Sequence, residues 1–220
     1  MKIRATFVTS AVGPDGCPAD GLPELALVGR SNVGKSTLVN ALVRSKLART
    51  SAAPGKTRLL NIFRVDVDGE PPFHLVDLPG YGYARGGETS AEAFEAMARS
   101  YFEDRAGTDL SPRPSTGARA VPSRAEGRRR PDAFAVLQLI DSRHPGLPND
   151  MAAHDWLTTL GVPVGIVATK VDKLTRAERS RAQQAFERAF TSPVVPVAAA
   201  TGEGLKELWI LIRRLLRHQP

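Results

Sequence analysis

The stretch Gly29-Arg30-Ser31-Asn32-Val33-Gly34-Lys35-Ser36-Thr37 directly follows the apolar run Leu25 to Val28 and fits G-x-x-x-x-G-K-[ST] without a mismatch. Two glycines at this spacing let consecutive backbone N–H groups close around phosphate oxygens. Lys35 adds a point charge, and the Ser36 hydroxyl suits Mg²⁺. A helix starting at Lys35 directs its positive end into the same loop. A glycine turn before an ordinary helix would give similar letters, but strand, loop and helix fall here in the order that phosphate binding requires.

Working outward, Leu38, Val39, Ala41, Leu42 and Val43 give the helix a wide apolar face, and residues 44–58, with Pro54-Gly55, read as a loop. Leu59 to Val67 and Phe73 to Val76, joined through Asp68-Gly69, predict a hairpin. Thr89 with Glu92 predicts a capping box for a helix ending by Gly107. Ala133 to Ile140, Val162 to Ala168 and Pro193 to Val197 read as further strands. They alternate with helices over Asn149 to Leu160, after the Thr175/Glu178 cap, and from Leu205 onward. Upstream, Ile3 to Thr9 is one more candidate strand. The alternation defines an α/β protein with a mainly parallel sheet covered on both faces, and ligands then belong at the carboxyl ends of the strands.

Of the net charge of +7, four lie between Gly107 and Pro131, where six Arg face only Asp109 and Glu126. With Pro112, Pro114, Pro122 and Pro131 and almost no large apolar residues, this tract predicts disorder. A pI of 10.0 is compatible with a polyanionic partner such as RNA, and equally with a solubilising loop. A lone cysteine, Cys17, excludes an intramolecular disulfide. The N-terminus lacks a plausible signal-peptide cleavage site. No run reaches the roughly 18 apolar residues of a membrane helix, so the expectation is a cytoplasmic protein with no membrane association. The terminal stripe Leu205, Leu208, Trp209, Ile212, Leu215 and Leu216 is flanked by Arg213, Arg214 and Arg217; it fits a packed core face better than a membrane surface.

Two further constellations carry chemistry. Asp77-Leu78-Pro79-Gly80 follows an apolar strand, which places a carboxylate for Mg²⁺ beside Ser36 and a glycine whose backbone can approach a γ-phosphate. Thr169-Lys170-Val171-Asp172 ends a strand at the same sheet edge. Guanine presents N1–H and N2–H₂ side by side, so the Asp172 carboxylate can accept both, whereas adenine offers an acceptor at N1 and no N2 amine. Lys170 would lay its stem over the base and Thr169 would brace the loop. Many GTPases place a water-orienting Gln after the Asp-x-x-Gly glycine; here that position is Tyr81, which predicts slow intrinsic turnover and a partner or cation that completes the site.

These motifs, together with Pro54-Gly55-Lys56-Thr57, the longer block Asp77 to Ala84 and Asp141-Ser142-Arg143-His144-Pro145, resemble the EngB (YihA/YsxC) GTPases from about residue 5 to the C-terminus. The resemblance implies a Ras-like P-loop GTPase fold, a three-layer sandwich with a mostly parallel six-stranded sheet and one antiparallel edge strand. It also implies GTP/GDP and Mg²⁺ as ligands and a role in assembly of the large ribosomal subunit, hence in growth and division. Residues 1–23 would then be an N-terminal extension packed on the core, and 24–220 the GTPase domain.

By the same resemblance the nucleotide is held by residues 29–37, Gly55, Thr57, Asp77, Gly80, Thr169, Lys170, Asp172, Ala198 and Ala199. Ser36, Thr57 and Asp77 serve the metal, and Lys35, Thr57 and Gly80 serve hydrolysis. Asn32 stands where related potassium-stimulated GTPases carry a cation-binding Asn, so K⁺ is a candidate activator. The partners implied are the large-subunit precursor and its rRNA, met by a monomer. Loops 49–58 and 81–87 would form the particle-binding surface, with Tyr81 and Tyr83 stacking on exposed bases. The family's Ser-Ala at the loop touching guanine O6 reads Ala198-Ala199 here, which keeps the backbone contact and loses the serine's bracing bond. Two other functions compete on sequence grounds: an RNA-binding protein with a structural nucleotide site, and a small-molecule kinase. The guanine-reading Thr169–Asp172 disfavours the kinase.

Overall fold

The computed structural model describes residues 2–48, 59–81, 88–107 and 129–217, with the backbone alone along 88–95. Its described strands are β1 (Ile3–Ala11), β2 (Glu24–Gly29), β3 (Leu60–Val67), β4 (Phe73–Asp77), β5 (Phe134–Asp141), β6 (Val164–Thr169) and β7 (Val194–Val197). The α-helices are α1 (Lys35–Val43), α2 (Glu88–Ala106), α3 (Pro148–Thr159), α4 (Arg176–Ala189) and α5 (Leu205–Arg217). The strands form one sheet in the order β1-β3-β4-β2-β5-β6-β7. β1 and β4 each pair antiparallel with β3, and the remaining pairs are parallel. The sheet has seven strands, because Ile3–Ala11, a candidate strand from the sequence, extends the β3–β4 hairpin by a further antiparallel edge strand.

β2 shows why the helices cover both faces. Leu25 and Leu27 point to one side, where they join Leu38 and Leu42 of α1 and Trp209 and Ile212 of α5 in one core. Ala26 and Val28 point to the other, where they join Tyr101 and Phe102 of α2 and Leu157 of α3. Alternation of this kind is forced by the twofold period of a strand, and a central strand so enclosed is apolar on both faces from Leu25 to Val28. The stripe of α5 is core as expected, with Leu208, Trp209, Ile212 and Leu215 buried.

Thr175 and Glu178 form the expected reciprocal capping box. The other expected pair, Thr89 and Glu92, falls in the stretch of α2 whose side chains lie outside the described residues. Gly161, at φ +66°, takes the left-handed conformation just beyond α3. Of the basic tract, 108–128 lie outside the described residues. At its far end Arg129 bridges to Asp20 and pairs with Asp132 at 3.0 Å. No described helix is long and apolar enough to cross a membrane.

Candidate nucleotide-binding site

The loop between β2 and α1 is shaped by its glycines. A Cβ on Gly29 would lie 2.7 Å from the Leu139 carbonyl, and Gly34 sits at φ +108°, a conformation that side chains disfavour. Lys35 opens α1, and its Nζ donates to the carbonyls of Gly29 (2.9 Å) and Arg30 (3.4 Å), which folds the ammonium back over the loop. Ser36 Oγ donates to Asp77 Oδ2 at 3.3 Å, so the two residues expected to share a cation are brought together from α1 and β4. Burial pushes the Asp77 carboxyl up to about 6 against the pull of Lys35 and Ser36. Burial likewise lowers the Lys35 ammonium, with Asp77 opposing it.

Asp77 Oδ1 is buried and has no hydrogen-bond partner among the described residues. An orphaned carboxylate oxygen beside a hydroxyl is a hard donor set that fits Mg²⁺. Thr57 and Gly55 lie outside the described residues, as do Tyr83 and most of both loops proposed to face a particle. Thr37 is exposed, on the first turn of α1, and Val33 is buried.

At the neighbouring strand end, Thr169 Oγ1 donates to the carbonyls of Val33 (2.7 Å) and Ile140 (3.2 Å). Lys170, at φ +61°, sends Nζ to the Asn32 carbonyl at 2.5 Å and to Asp141 Oδ2 at 2.9 Å. Burial raises the Asp141 pKa, but hydrogen bonds from Arg143 and Lys170 outweigh it and hold the carboxyl well below the usual range. Asp172 follows in a 3-10 turn, 3.2 Å from Lys173 Nζ. Ala198, fully buried after β7, is held without a serine: its N–H donates to the Glu203 carbonyl, and its own carbonyl accepts from the N–H groups of Thr201 and Gly202.

Sequence reasoning missed one part of the site. The sequence reading gives Tyr81 only a candidate stacking role on bases, and does not foresee that its hydroxyl donates to Asp150 Oδ1 at 2.9 Å. The Arg30 Nε lies 3.1 Å from the same oxygen. The available signal was slight, because an acidic residue in the first turn of α3 reads as a dipole partner. Asp141 opens the Asp141–Pro145 motif, but only its contact with Lys170 shows its partner.

A mostly parallel sheet with a phosphate loop, a carboxylate–hydroxyl pair and the Thr169–Asp172 turn at the same strand ends has the layout of a P-loop GTPase. The comparisons agree. A family model described as "50S ribosome-binding GTPase" matches residues 24–170. The "Probable GTP-binding protein EngB" of Pelotomaculum thermopropionicum is 37% identical over 220 residues, covering 97% of this chain and 96% of that one. Among solved structures, a probable GTP-binding protein engB superposes with a TM-score of 0.60 at 21% identity, over 89% of this chain and 100% of that one. Era in complex with MgGDPNP and a segment of 16S ribosomal RNA reaches 0.66 at 21% identity, over 91% of this chain and 58% of that one; these two likenesses show the fold. The chain belongs to the EngB family of GTP-binding proteins.

Proposed function

We propose that this chain is a slow GTP-hydrolysing switch that acts in the cytoplasm, as a monomer, in assembly of the large ribosomal subunit. The observation that carries the reading is the joining of three motifs at one sheet edge: Ser36 on Asp77, Lys35 over its own loop, and Thr169 on Val33. The family description "50S ribosome-binding GTPase" supports the large subunit as partner.

Ser36 and Asp77, with Thr57, would hold Mg²⁺, which when bound supplies positive charge against the β- and γ-phosphates. Lys35 and the loop amides bind and orient the phosphates. Asp172 reads the guanine edge with the backbone of Ala199, and Lys170 is fixed by Asn32 and Asp141 so that its stem can cover the base. Gly80 and Thr57 sense the γ-phosphate. With Tyr81 in place of an amide, positioning of the attacking water falls to a partner or to K⁺ near Asn32.

The test is binding of purified large subunits to the full chain loaded with a non-hydrolysable GTP analogue or with GDP. The expected difference is about fivefold or more, the lower range of ligand-linked coupling, and Thr57→Ala should abolish it. Equal affinity in the two wild-type states would overturn the switch reading, and failure to turn over GTP would favour a structural nucleotide site.

A further inference from the structure

Asp150 is the most enclosed carboxylate near the phosphate loop that the preceding reading leaves without a role. Its side chain is fully buried. Its backbone carbonyl accepts from Gln138 Nε2 of β5 at 2.7 Å, and Gln138 Oε1 lies 2.9 Å from His154 Nδ1. Asp150 is thus a fixed post between the sheet and α3. Oδ2 has no hydrogen-bond partner among the described residues, so Oδ1 alone accepts the Tyr81 hydroxyl and forms the ion pair with Arg30.

The two residues it holds come from the two segments that must meet a triphosphate. Arg30 is the second residue of the phosphate loop. Tyr81 directly follows Gly80, and the main chain of that dipeptide is tied to the loop as well. Ser31 N–H donates to the Tyr81 carbonyl at 3.1 Å, and Ser31 Oγ donates to the Gly80 carbonyl at 3.3 Å. The fit is close enough that a Cβ on Gly80 would lie 2.6 Å from the Ser31 nitrogen. Gly80 is therefore fastened through its own carbonyl to the loop and through its neighbour's ring to α3. A charge-assisted bond inside a buried environment is stiffer than one in water.

We propose that Asp150 is a positioning residue of the switch: by gripping Tyr81 and Arg30 on one oxygen, it sets where Gly80 stands relative to the phosphate loop. This rests on the reading of Gly80 as a γ-phosphate sensor. It gives the Tyr at the usual amide position a mechanical task in place of a chemical one. The contact acts on the triphosphate state, since GDP offers Gly80 no γ-phosphate to meet.

The experiment uses the full chain as wild type, Tyr81→Phe, Asp150→Asn, Asp150→Ala and the double variant Tyr81→Phe/Asp150→Ala. Single-turnover GTP hydrolysis and affinities for GDP and a non-hydrolysable GTP analogue are measured for each. Tyr81→Phe removes a single hydroxyl and keeps the ring packed, so it reports even if Asp150→Ala folds poorly. Expected are a roughly tenfold slower turnover and a roughly fivefold or greater loss of analogue affinity relative to GDP in Tyr81→Phe, within the span of ligand-linked coupling. GDP affinity should stay within twofold of wild type. The double variant should lose no more than the larger single loss, because the two side chains act through one bond. Asp150→Asn, which keeps an acceptor for the hydroxyl, should recover part of the effect.

A lower melting temperature with an unchanged analogue-to-GDP ratio would make Asp150 merely structural and overturn the inference. Faster turnover would overturn it too, by making the contact a brake. Wild-type turnover, measured in the same series, tests the GTPase reading separately: if it is absent, that reading falls first.

Discussion

The Thr169 hydroxyl donates to the Val33 carbonyl at 2.7 Å across 136 residues of sequence, so the turn that carries Asp172 is bolted to the phosphate loop. In the proposed reading Asp172 and the phosphate loop grasp one nucleotide, which requires a fixed separation, and this bond ties the two segments together. Thr169→Val keeps the volume and removes the donor, leaving the buried Val33 carbonyl short of a partner. The expected cost is about 1–3 kcal/mol of stability, with weaker GDP binding. Thermal unfolding and GDP titration check both, and unchanged GDP affinity would separate the bond from recognition.

Asp172→Asn should weaken guanine nucleotides and favour xanthine nucleotides, whose C2 carbonyl accepts from the new amide. Sites that pair a buried polar group with the substrate discriminate by about 10⁴ to 10⁵. Competition among GTP, ATP and XTP measures the change; a retained GTP preference would remove Asp172 from the base site.

Turnover should be faster in potassium than in sodium at matched ionic strength. Asn32 is exposed at the mouth of the loop, and it is its backbone carbonyl, not its side-chain amide, that accepts from Lys170. A cation there adds positive charge where an arginine finger would. Equal rates in the two buffers, or an Asn32→Ala variant that keeps the difference, would exclude this position.

Replacing 108–128 by a short flexible linker should shift the melting temperature by less than the roughly 2–4 °C that 1 kcal/mol produces in a chain of this size. The chain on either side is separately anchored: Gly107 N–H donates to Glu103, and Asp132 N–H to Gly21. GDP affinity should be unchanged. If the arginines contact rRNA, the salt dependence of particle binding should flatten, because fewer phosphates are neutralised.

Far from the phosphate loop, at the other end of β2, Glu24 forms an ion pair with Arg105 Nε and accepts from the Tyr101 hydroxyl, each at 3.0 Å. Burial pushes the Glu24 carboxyl up to about 7, with Arg105 and Tyr101 pulling the other way. A carboxyl whose folded pKa is raised binds its proton more tightly when folded. Its contribution is therefore full below about 4.5 and is lost as pH rises through about 7. Glu24→Gln should flatten the decline in stability across that window. Denaturant unfolding at a series of pH values measures the slope, and parallel slopes for the two proteins would refute the assignment.

Local pattern alone determined the phosphate loop, the Asp77–Gly80 and Thr169–Asp172 turns, the alternation of strands and helices and the buried stripe of α5. Each depends on spacing within a few residues, where strand and helix periods or a glycine's freedom decide the outcome. The tertiary structure decided what depends on pairs far apart in the chain. Ile3–Ala11 became a seventh strand because β3 offered it an open edge, and Lys170 found Asp141 because β5 and β6 lie side by side in register. Tyr81 turned toward α3 because a buried carboxylate there, Asp150, accepts its hydroxyl beside the Arg30 ion pair. From the sequence Tyr81 showed only that an amide was missing; the packing of α3 against the phosphate loop gave the residue its contact.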